Sequence, residues 1–273
     1  MAIPAGLMPK KGKKMRNMEP IRSTGNDKVK QMRALSTKKG RRQMGCFLVE
    51  GPKVLDEALA EGYDVKMAFV SEYAIDVYEQ YEARMPVYLA SEAVMRAMTD
   101  VDTPQTIVAA VSMPKHEAAI DEQDGLYLAM DAVQDPGNMG AILRCADAFG
   151  VMGVILGEGC ADPYAPKSIR AAMGSTFHLA LHTSESLENQ LRDMQAKGAY
   201  LLATDLQGEE GWPDALPPKT VLMIGNEGNG LRPEIMALAD RRFRLAMPGR
   251  SESLNAAVFT GIMLYALSQK MSR

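Results

Sequence analysis

Short unbroken apolar runs alternate with helical patterns along most of this chain. That alternation limits the fold more than any other feature. In the second half the runs fall at 126–130, 153–156, 199–203, 220–224 and 243–246, with helical spacing at 140–149, 167–172, 186–196, 232–238 and 253–269. Strands apolar on both faces, each followed by a helix, predict a parallel sheet covered on both sides. Asn138 and Ser253 read as the residues that cap the first and last of these helices.

A smaller α/β unit precedes it. Strands are expected at 46–50, 65–70, 86–89 and 106–112, and helices at 52–59, 72–81 and 92–98. Ser23-Thr24-Gly25-Asn26 supplies turn and cap chemistry for a short helix carrying Val29, Met32 and Leu35 at i, i+3 spacing. The polar stretch 113–124 reads as a linker. The expected organisation is a basic extension over 1–20, a first unit over 21–112, the linker, and a second unit over 125–273.

The 273 residues are 47% hydrophobic, which is enough for a sizeable core, yet no uninterrupted apolar stretch approaches membrane-spanning length. The basic N-terminus lacks the apolar run of a secretory signal. Cys46, Cys145 and Cys160 are an odd set without zinc-site spacing to His116, His178 or His182. Neither a metal centre nor a disulfide framework is expected, and the reducing cytoplasm is the expected compartment.

Charge is unevenly divided. Residues 1–45 carry 13 Lys and Arg against Glu19 and Asp27, a balance of +11, while the rest of the chain carries −14. A basic arm on an acidic body predicts a polyanionic partner held from one end. Lys28, Lys30, Arg33, Lys38, Lys39, Arg41 and Arg42 are the candidate contacts to that polyanion, because they are interleaved with an apolar pattern.

Three segments follow predicted strands, where open α/β sheets present their ligand loops. The first runs from Asp131 to Arg144, with Asp, Pro, Gly and Asn suited to a tight turn. Arg144 lies off the apolar face marked by Ile142, Cys145 and Phe149, and it suits either a phosphate or an ordinary pair with Asp147. The second, Gly225-Asn226-Glu227-Gly228-Asn229-Gly230, has the spacing G-x-x-G-x-G, which differs from the dinucleotide fingerprint. Its glycines allow close approach of backbone to a ligand, and Glu227 is a candidate polar contact. The third runs from Leu245 to Val258 and contains Gly249, Ser253, Leu254 and Asn255.

In this order and spacing the three segments resemble the motifs of the SpoU (TrmH-like) branch of the SPOUT methyltransferases. Asn138, Gly140, Ala141 and Arg144 match the first motif, Gly225, Glu227, Gly228 and Gly230 the second, and Gly249, Ser253, Leu254 and Asn255 the third. Met247-Pro248 reverses the family's usual Pro-Met, and 166–175 resembles its intervening segment. The likeness covers about residues 125–270. Residues 21–112, through Asn26, Lys30, Arg41, Phe47, Glu50 and Gly51, resemble the ribosomal-protein-like substrate-binding domain often fused ahead of it.

The resemblance implies an α/β domain with a C-terminal trefoil knot, working as a homodimer packed partly through its last helix. It implies S-adenosylmethionine as cofactor, with Gly225, Asn226, Leu245, Leu254 and Thr204 as candidate contacts. The implied reaction is methylation of a ribose 2′-hydroxyl in RNA, ribosomal rather than transfer RNA on the strength of the N-terminal unit. Arg144 would be a phosphate clamp and alkoxide stabiliser, and Glu227 a proton acceptor or orienting carboxylate. Asn138, Ser253 and Asn255 would hold ribose and loops. Two other classes stand beside this reading: an RNA binder without catalysis, and a nucleotide-dependent enzyme such as an NAD-linked dehydrogenase.

Overall fold

The computed structural model describes residues 19–114, 120, 123–211, 215–250 and 253–271. The extension over 1–20 lies outside them apart from Glu19 and Pro20, and the linker over 113–124 lies partly outside them.

The first sheet contains β1 (Cys46–Glu50), β2 (Val65–Ser71), β3 (Val87–Ala90) and β4 (Ile107–Ser112) in the order β1-β4-β2-β3. β4 is antiparallel to β1 and β2, and β2 is parallel to β3. On one face lie α1 (Asp27–Ala34) and α5 (Glu92–Met98), burying Val29, Met32, Val94 and Met98 against Leu48 and Phe69. On the other lie α3 (Pro52–Ala60) and α4 (Ile75–Tyr81), burying Leu55, Tyr78 and Tyr81. Asn26 caps α1 as expected, its side chain accepting from the Lys28 N–H at 2.9 Å. A further helix, α2 (Lys38–Met44), escaped the sequence reading. Its segment KKGRRQM has no apolar period; Thr37 caps it and Gly45 ends it at φ 60°.

The second sheet is parallel throughout, as expected. Its strands are β5 (Gly125–Met130), β6 (Gly153–Leu156), β7 (Ala180–Thr183), β8 (Tyr200–Glu209), β9 (Lys219–Ile224) and β10 (Arg241–Phe243), ordered β10-β8-β9-β5-β6-β7. α6 (Pro136–Ala148) and α10 (Ala256–Ser268) cover one face through Met139, Ile142, Leu143, Met263 and Leu264. α8 (Leu187–Ala196) and α9 (Pro233–Met236) cover the other through Leu191, Met194 and Ile235. Edge strand β7 was missed because ALHT is polar in part and stays half-exposed. β10 ends at Phe243, so the chain leaves the sheet earlier than the expected 243–246.

Both cap assignments in this half need correction. Asp135, not Asn138, caps α6, its Oδ1 accepting from the Asn138 N–H at 2.9 Å. Pro136 starts that helix one turn earlier than its apolar pattern suggests, at the position where a missing N–H costs nothing. Asn255, not Ser253, caps α10, accepting from the N–H groups of Ala257 and Val258.

The two units are joined by more than a tether. Arg41 is 3% exposed, and its Nη2 and Nε donate to Asp162 Oδ2 at 2.6 and 3.1 Å. Its Nη1 donates to the carbonyls of Leu35 and Ser36. Arg170, on α7 (Pro166–Ala172), reaches back to Glu50 at 2.7 Å and Asp100 at 2.6 Å. Phe47 lies 4.9 Å from the Tyr164 ring and 6.1 Å from Phe177, and Ile169 and Phe177 belong to the first unit's apolar core. The expectation of Arg41 as an RNA contact is therefore corrected: its donors are consumed inside the protein.

Removing one partner of a buried ion pair leaves an uncompensated charge and costs about 3 kcal/mol or more. Arg41→Ala should lower the unfolding free energy by about 3 kcal/mol, whereas exposed Lys39→Ala should change it by less than about 0.5 kcal/mol. Urea unfolding measures both. Equal, small effects would mean that the Arg41–Asp162 pair does not hold the units together.

Candidate active site at the C-terminal edge of the parallel sheet

The loops after β5 and β9 leave neighbouring central strands, so their tips meet above the sheet edge. Glu227 Oε1 accepts from Asn138 Nδ2 at 3.0 Å, and its Oε2 takes the Gln134 N–H at 3.4 Å. Asn255 Nδ2 in turn donates to Asn138 Oδ1 at 2.8 Å. One residue from each of the three motifs thus joins a single chain of hydrogen bonds, and all three side chains remain accessible to a ligand.

Burial alone would push the Glu227 carboxyl up. Donation from Asn138, and from the backbone around Gln134 and Asp135, outweighs it and holds the carboxyl below its ordinary value. Glu227 is ionised at neutral pH and is correspondingly a weak base. The geometry favours the orienting member of the two roles set out for it. Asp135 is likewise lowered, first by the hydrogen bond from Lys167 Nζ at 2.9 Å and then by the Asn138 N–H.

Arg144 stands apart from this cluster. It is exposed and makes no hydrogen bond or ion pair among the described residues. Six residues along α6 from Asn138 correspond to ~9 Å of rise and about a third of a turn of rotation. Its neighbour Asp147 pairs with His178 instead, at 3.0 Å. Ser253 is exposed at the approach to α10.

The glycine loop is stiffer than its composition suggests. Asn226 and Gly230 exchange two backbone hydrogen bonds at 2.9 Å. A Cβ on Gly225 would lie 2.1 Å from the Gly230 carbonyl carbon, so Gly225 makes room for the loop's own return. Asn226 Nδ2 donates to the Ala132 carbonyl, and its Oδ1 accepts from the N–H groups of Gly228 and Asn229. Its side chain therefore shapes the loop. Gly140 has a similar internal task, since a Cβ there would meet the Ser168 carbonyl at 2.2 Å where α6 crosses α7.

Thr204 lies on β8 and Leu245 follows β10, strands that run parallel to β9 in the same sheet. Thr204 Oγ1 donates to the Met223 carbonyl at 3.1 Å. Arg242 pairs with Ala203 but Phe243 with Glu209, so residues 204–208 bulge out of the ladder. Leu245 packs partly into the core, Leu254 is 38% exposed, and among the described residues no backbone group of 245–250 bonds to another backbone group. Apolar side chains beside available main-chain donors and acceptors suit an adenine and a ribose. Leu245 and Leu254 fit S-adenosylmethionine on that ground, whereas the Thr204 hydroxyl is given to Met223 and Gly225 faces the loop's own return. Among the described residues no group of His, Cys, Asp and Glu is arranged to hold a metal.

Sequence reading missed Gln134, whose contribution is a backbone N–H, and the ion pair of buried Asp131 with Arg232 at 2.8 Å that braces the two loops. The only signal for the latter was an acid directly after a strand.

Loss of a cap side chain typically costs ~1 kcal/mol. Asn255→Ala should destabilise the protein by about that amount. Asn255→Asp should lose less than the alanine variant, because the carboxylate still accepts from the N-terminus of α10 and suits its dipole, although it gives up the donation to Asn138 Oδ1. Thermal unfolding tests the pair, and equal losses would mean that the cap contributes little.

Residues 125–265 match the SpoU rRNA methylase family, and residues 26–109 match the MRM3-like substrate binding domain. The chain is 35% identical over 251 residues to the 23S rRNA (guanosine(2553)-2′-O)-methyltransferase RlmP of Bacillus subtilis (strain 168), covering 92% of this chain and 99% of the relative. An AdoMet-bound rRNA methyltransferase from Sinorhizobium meliloti superposes with a TM-score of 0.82 at 32% identity, covering 93% of this chain and 99% of that one. The SpoU methyltransferase AviRb from Streptomyces viridochromogenes, solved with AdoMet, superposes with a TM-score of 0.78 at 28% identity, covering 89% and 97%. Carrying the three motifs on one hydrogen-bonded sheet edge, with full-length relatives on either side, this chain belongs to the SpoU rRNA methylase family.

Proposed function

We propose that this protein transfers a methyl group from S-adenosylmethionine to a ribose 2′-hydroxyl of ribosomal RNA. The observation that carries the reading is the hydrogen-bonded chain Glu227–Asn138–Asn255, in a family member whose full-length relative is named a 23S rRNA 2′-O-methyltransferase. Bound S-adenosylmethionine supplies an electrophilic methyl group. The protein would hold the hydroxyl in line with that methyl, so that the C–O bond forms as the methyl–sulfur bond breaks to leave a neutral thioether, the hydroxyl proton passing to solvent water.

Asn138 and Asn255 present amides that fix the ribose, and Ser253 lies on the same approach. Glu227 holds Asn138 in one orientation and, being ionised, accepts a hydrogen bond from the hydroxyl. Arg144, ~9 Å along α6 from Asn138, fits the phosphate of the bound strand better than the reacting oxygen. Its planar fork suits phosphate bidentately. Lys28, Lys30, Arg33, Lys38, Lys39 and Arg42 are exposed on α1 and α2 and supply the positive surface. The Lys30–Asp27 pair is exposed and subtracts little from it.

The protein acts as a homodimer in this reading. Val258, Ile262 and Tyr265 are 55%, 39% and 57% exposed along one stripe of α10, and Tyr265 meets Phe149 at 5.8 Å. An apolar stripe of this kind marks an interface. The family's C-terminal knot is part of the same proposal, supported by the return of the chain after β10 to pack α10 on α6. Among the described residues no helix is long and apolar enough to cross a membrane. Three free cysteines accord with a reducing cytoplasm.

Radiolabelled S-adenosylmethionine and ribosomal RNA from a strain lacking the enzyme test the activity. Label should appear in a 2′-O-methylnucleoside after digestion, and label on a base would overturn the assignment. Arg144→Ala should lower transfer at least 100-fold and leave cofactor affinity within a few-fold. Lost cofactor binding in the folded variant would refute that division of labour. Val258→Asp with Tyr265→Asp should convert a dimer to a monomer by light scattering; a monomeric parent would end the dimer proposal.

A further inference from the structure

Between the two units lies a groove of about 460 Å³ that the Asn138 cluster does not include. Its floor is apolar, formed by Leu156 at the end of β6, Leu181 of β7 and Cys160 of the loop after β6. Lys38 and Arg42 of α2 line it from the other unit. Both are exposed, and neither makes a hydrogen bond or ion pair among the described residues. The carboxylate in the lining, Asp162, has its charge matched by buried Arg41. Tyr164 completes the lining, with its ring against Phe47.

The groove is tied to the reaction site through backbone. Ala161 N–H donates to the Val133 carbonyl at 2.8 Å, and Gly157 N–H to the Met130 carbonyl at 2.9 Å. The loop that walls the groove is thus bonded to the segment that carries Gln134 and leads into α6, where Asn138 lies. The strand order β9-β5-β6-β7 places the groove about two strands from the cluster, ~10 Å along the sheet edge. That is the reach of a neighbouring nucleotide, not of the methylated one.

We propose that this groove is a second RNA subsite, which takes the unstacked base of a nucleotide flanking the methylated ribose while Lys38 and Arg42 hold its phosphates. The charge decides the occupant. An apolar floor alone suits many ligands, but two unpaired cations at the wall, beside the further exposed cations of α1 and α2, select an anionic strand with apolar bases. Sequence-specific RNA contacts are made mostly to splayed bases, with aromatic and guanidinium planes as stacking partners. Tyr164 and Arg42 supply both kinds here. The inference rests on the RNA reading above and adds to it where substrate selection occurs.

Cys160 reports on the groove directly, because it is half-buried in the floor. The experiment is pulse alkylation of the full-length protein with N-ethylmaleimide, read at Cys160 by mass spectrometry. It is run alone, with heparin, and with unmethylated ribosomal RNA at concentrations saturating in a direct binding assay. RNA should slow modification of Cys160 at least fivefold. Heparin, which has phosphate-like charge and no base, should leave the rate within twofold. The Lys38→Ala, Arg42→Ala double variant should lose the protection, bind RNA more than tenfold more weakly, and show a salt slope of log affinity shallower by about 1 to 2. Its affinity for S-adenosylmethionine should not change. An unaltered Cys160 rate with bound RNA, equal protection by heparin, or an unchanged slope in the variant would each overturn the subsite. Protection without methyl transfer would leave the subsite standing and bring down the activity instead.

Discussion

The side-chain amide of Asn138 is used at both ends. It gives its N–H to Glu227 and takes one from Asn255, so three loops far apart in sequence become one rigid surface. The parallel sheet makes this possible: β5 and β9 are adjacent, and their loops emerge on the same edge. A reversed strand in either place would carry one loop to the opposite edge. The amide also settles what Glu227 can do. A carboxylate that accepts a side-chain amide and backbone N–H groups is stabilised in its charged form. Its contribution to the cluster is complete above its ordinary pKa and is lost only as pH falls through the lowered one.

The seam between the units sets the geometry on which RNA would lie. Arg41–Asp162, Arg170–Glu50 and the Phe47–Tyr164–Phe177 contacts join the unit that carries basic α1 and α2 to the second unit through apolar and charged contacts together. The exposed cations of α1 and α2 are therefore fixed relative to the reaction site. Surface attraction is screened over roughly 8 Å at physiological salt, so positive charge on a swinging domain would do little for positioning. A docked one holds phosphates at a defined distance from the ribose.

Most of the architecture was legible because period and composition report burial directly. The strands at 46–50 and 153–156 are continuous apolar runs, and they fold with the boundaries their sequence suggests. What was lost had no such signal. α2 has no apolar period because its inner face is filled by Gly40 and the guanidinium of Arg41. β7 is a half-exposed edge strand. The caps were misassigned by two or three residues because Asp135 and Asn138, like Ser253 and Asn255, are equally good capping types. Only the direction of the actual hydrogen bond separates them.

The site shows the same division. The three motifs were visible as a set, and Asn138, Glu227 and Asn255 do meet. Several residues in those motifs nevertheless serve the scaffold. Gly140 lets α6 and α7 cross closely, Gly225 admits the loop's return, and Asn226 braces that loop from within. In the first unit Arg41, Phe47 and Glu50, half of the residues behind its resemblance to an RNA-binding domain, face the other unit instead. A short motif records every constraint at a position, and a helix crossing or a domain seam constrains a residue as tightly as a ligand does. The candidates left for an RNA contact are those whose side chains the fold does not use. On α2 these are Lys38, Lys39 and Arg42, the exposed charges on either side of the one arginine that turned inward.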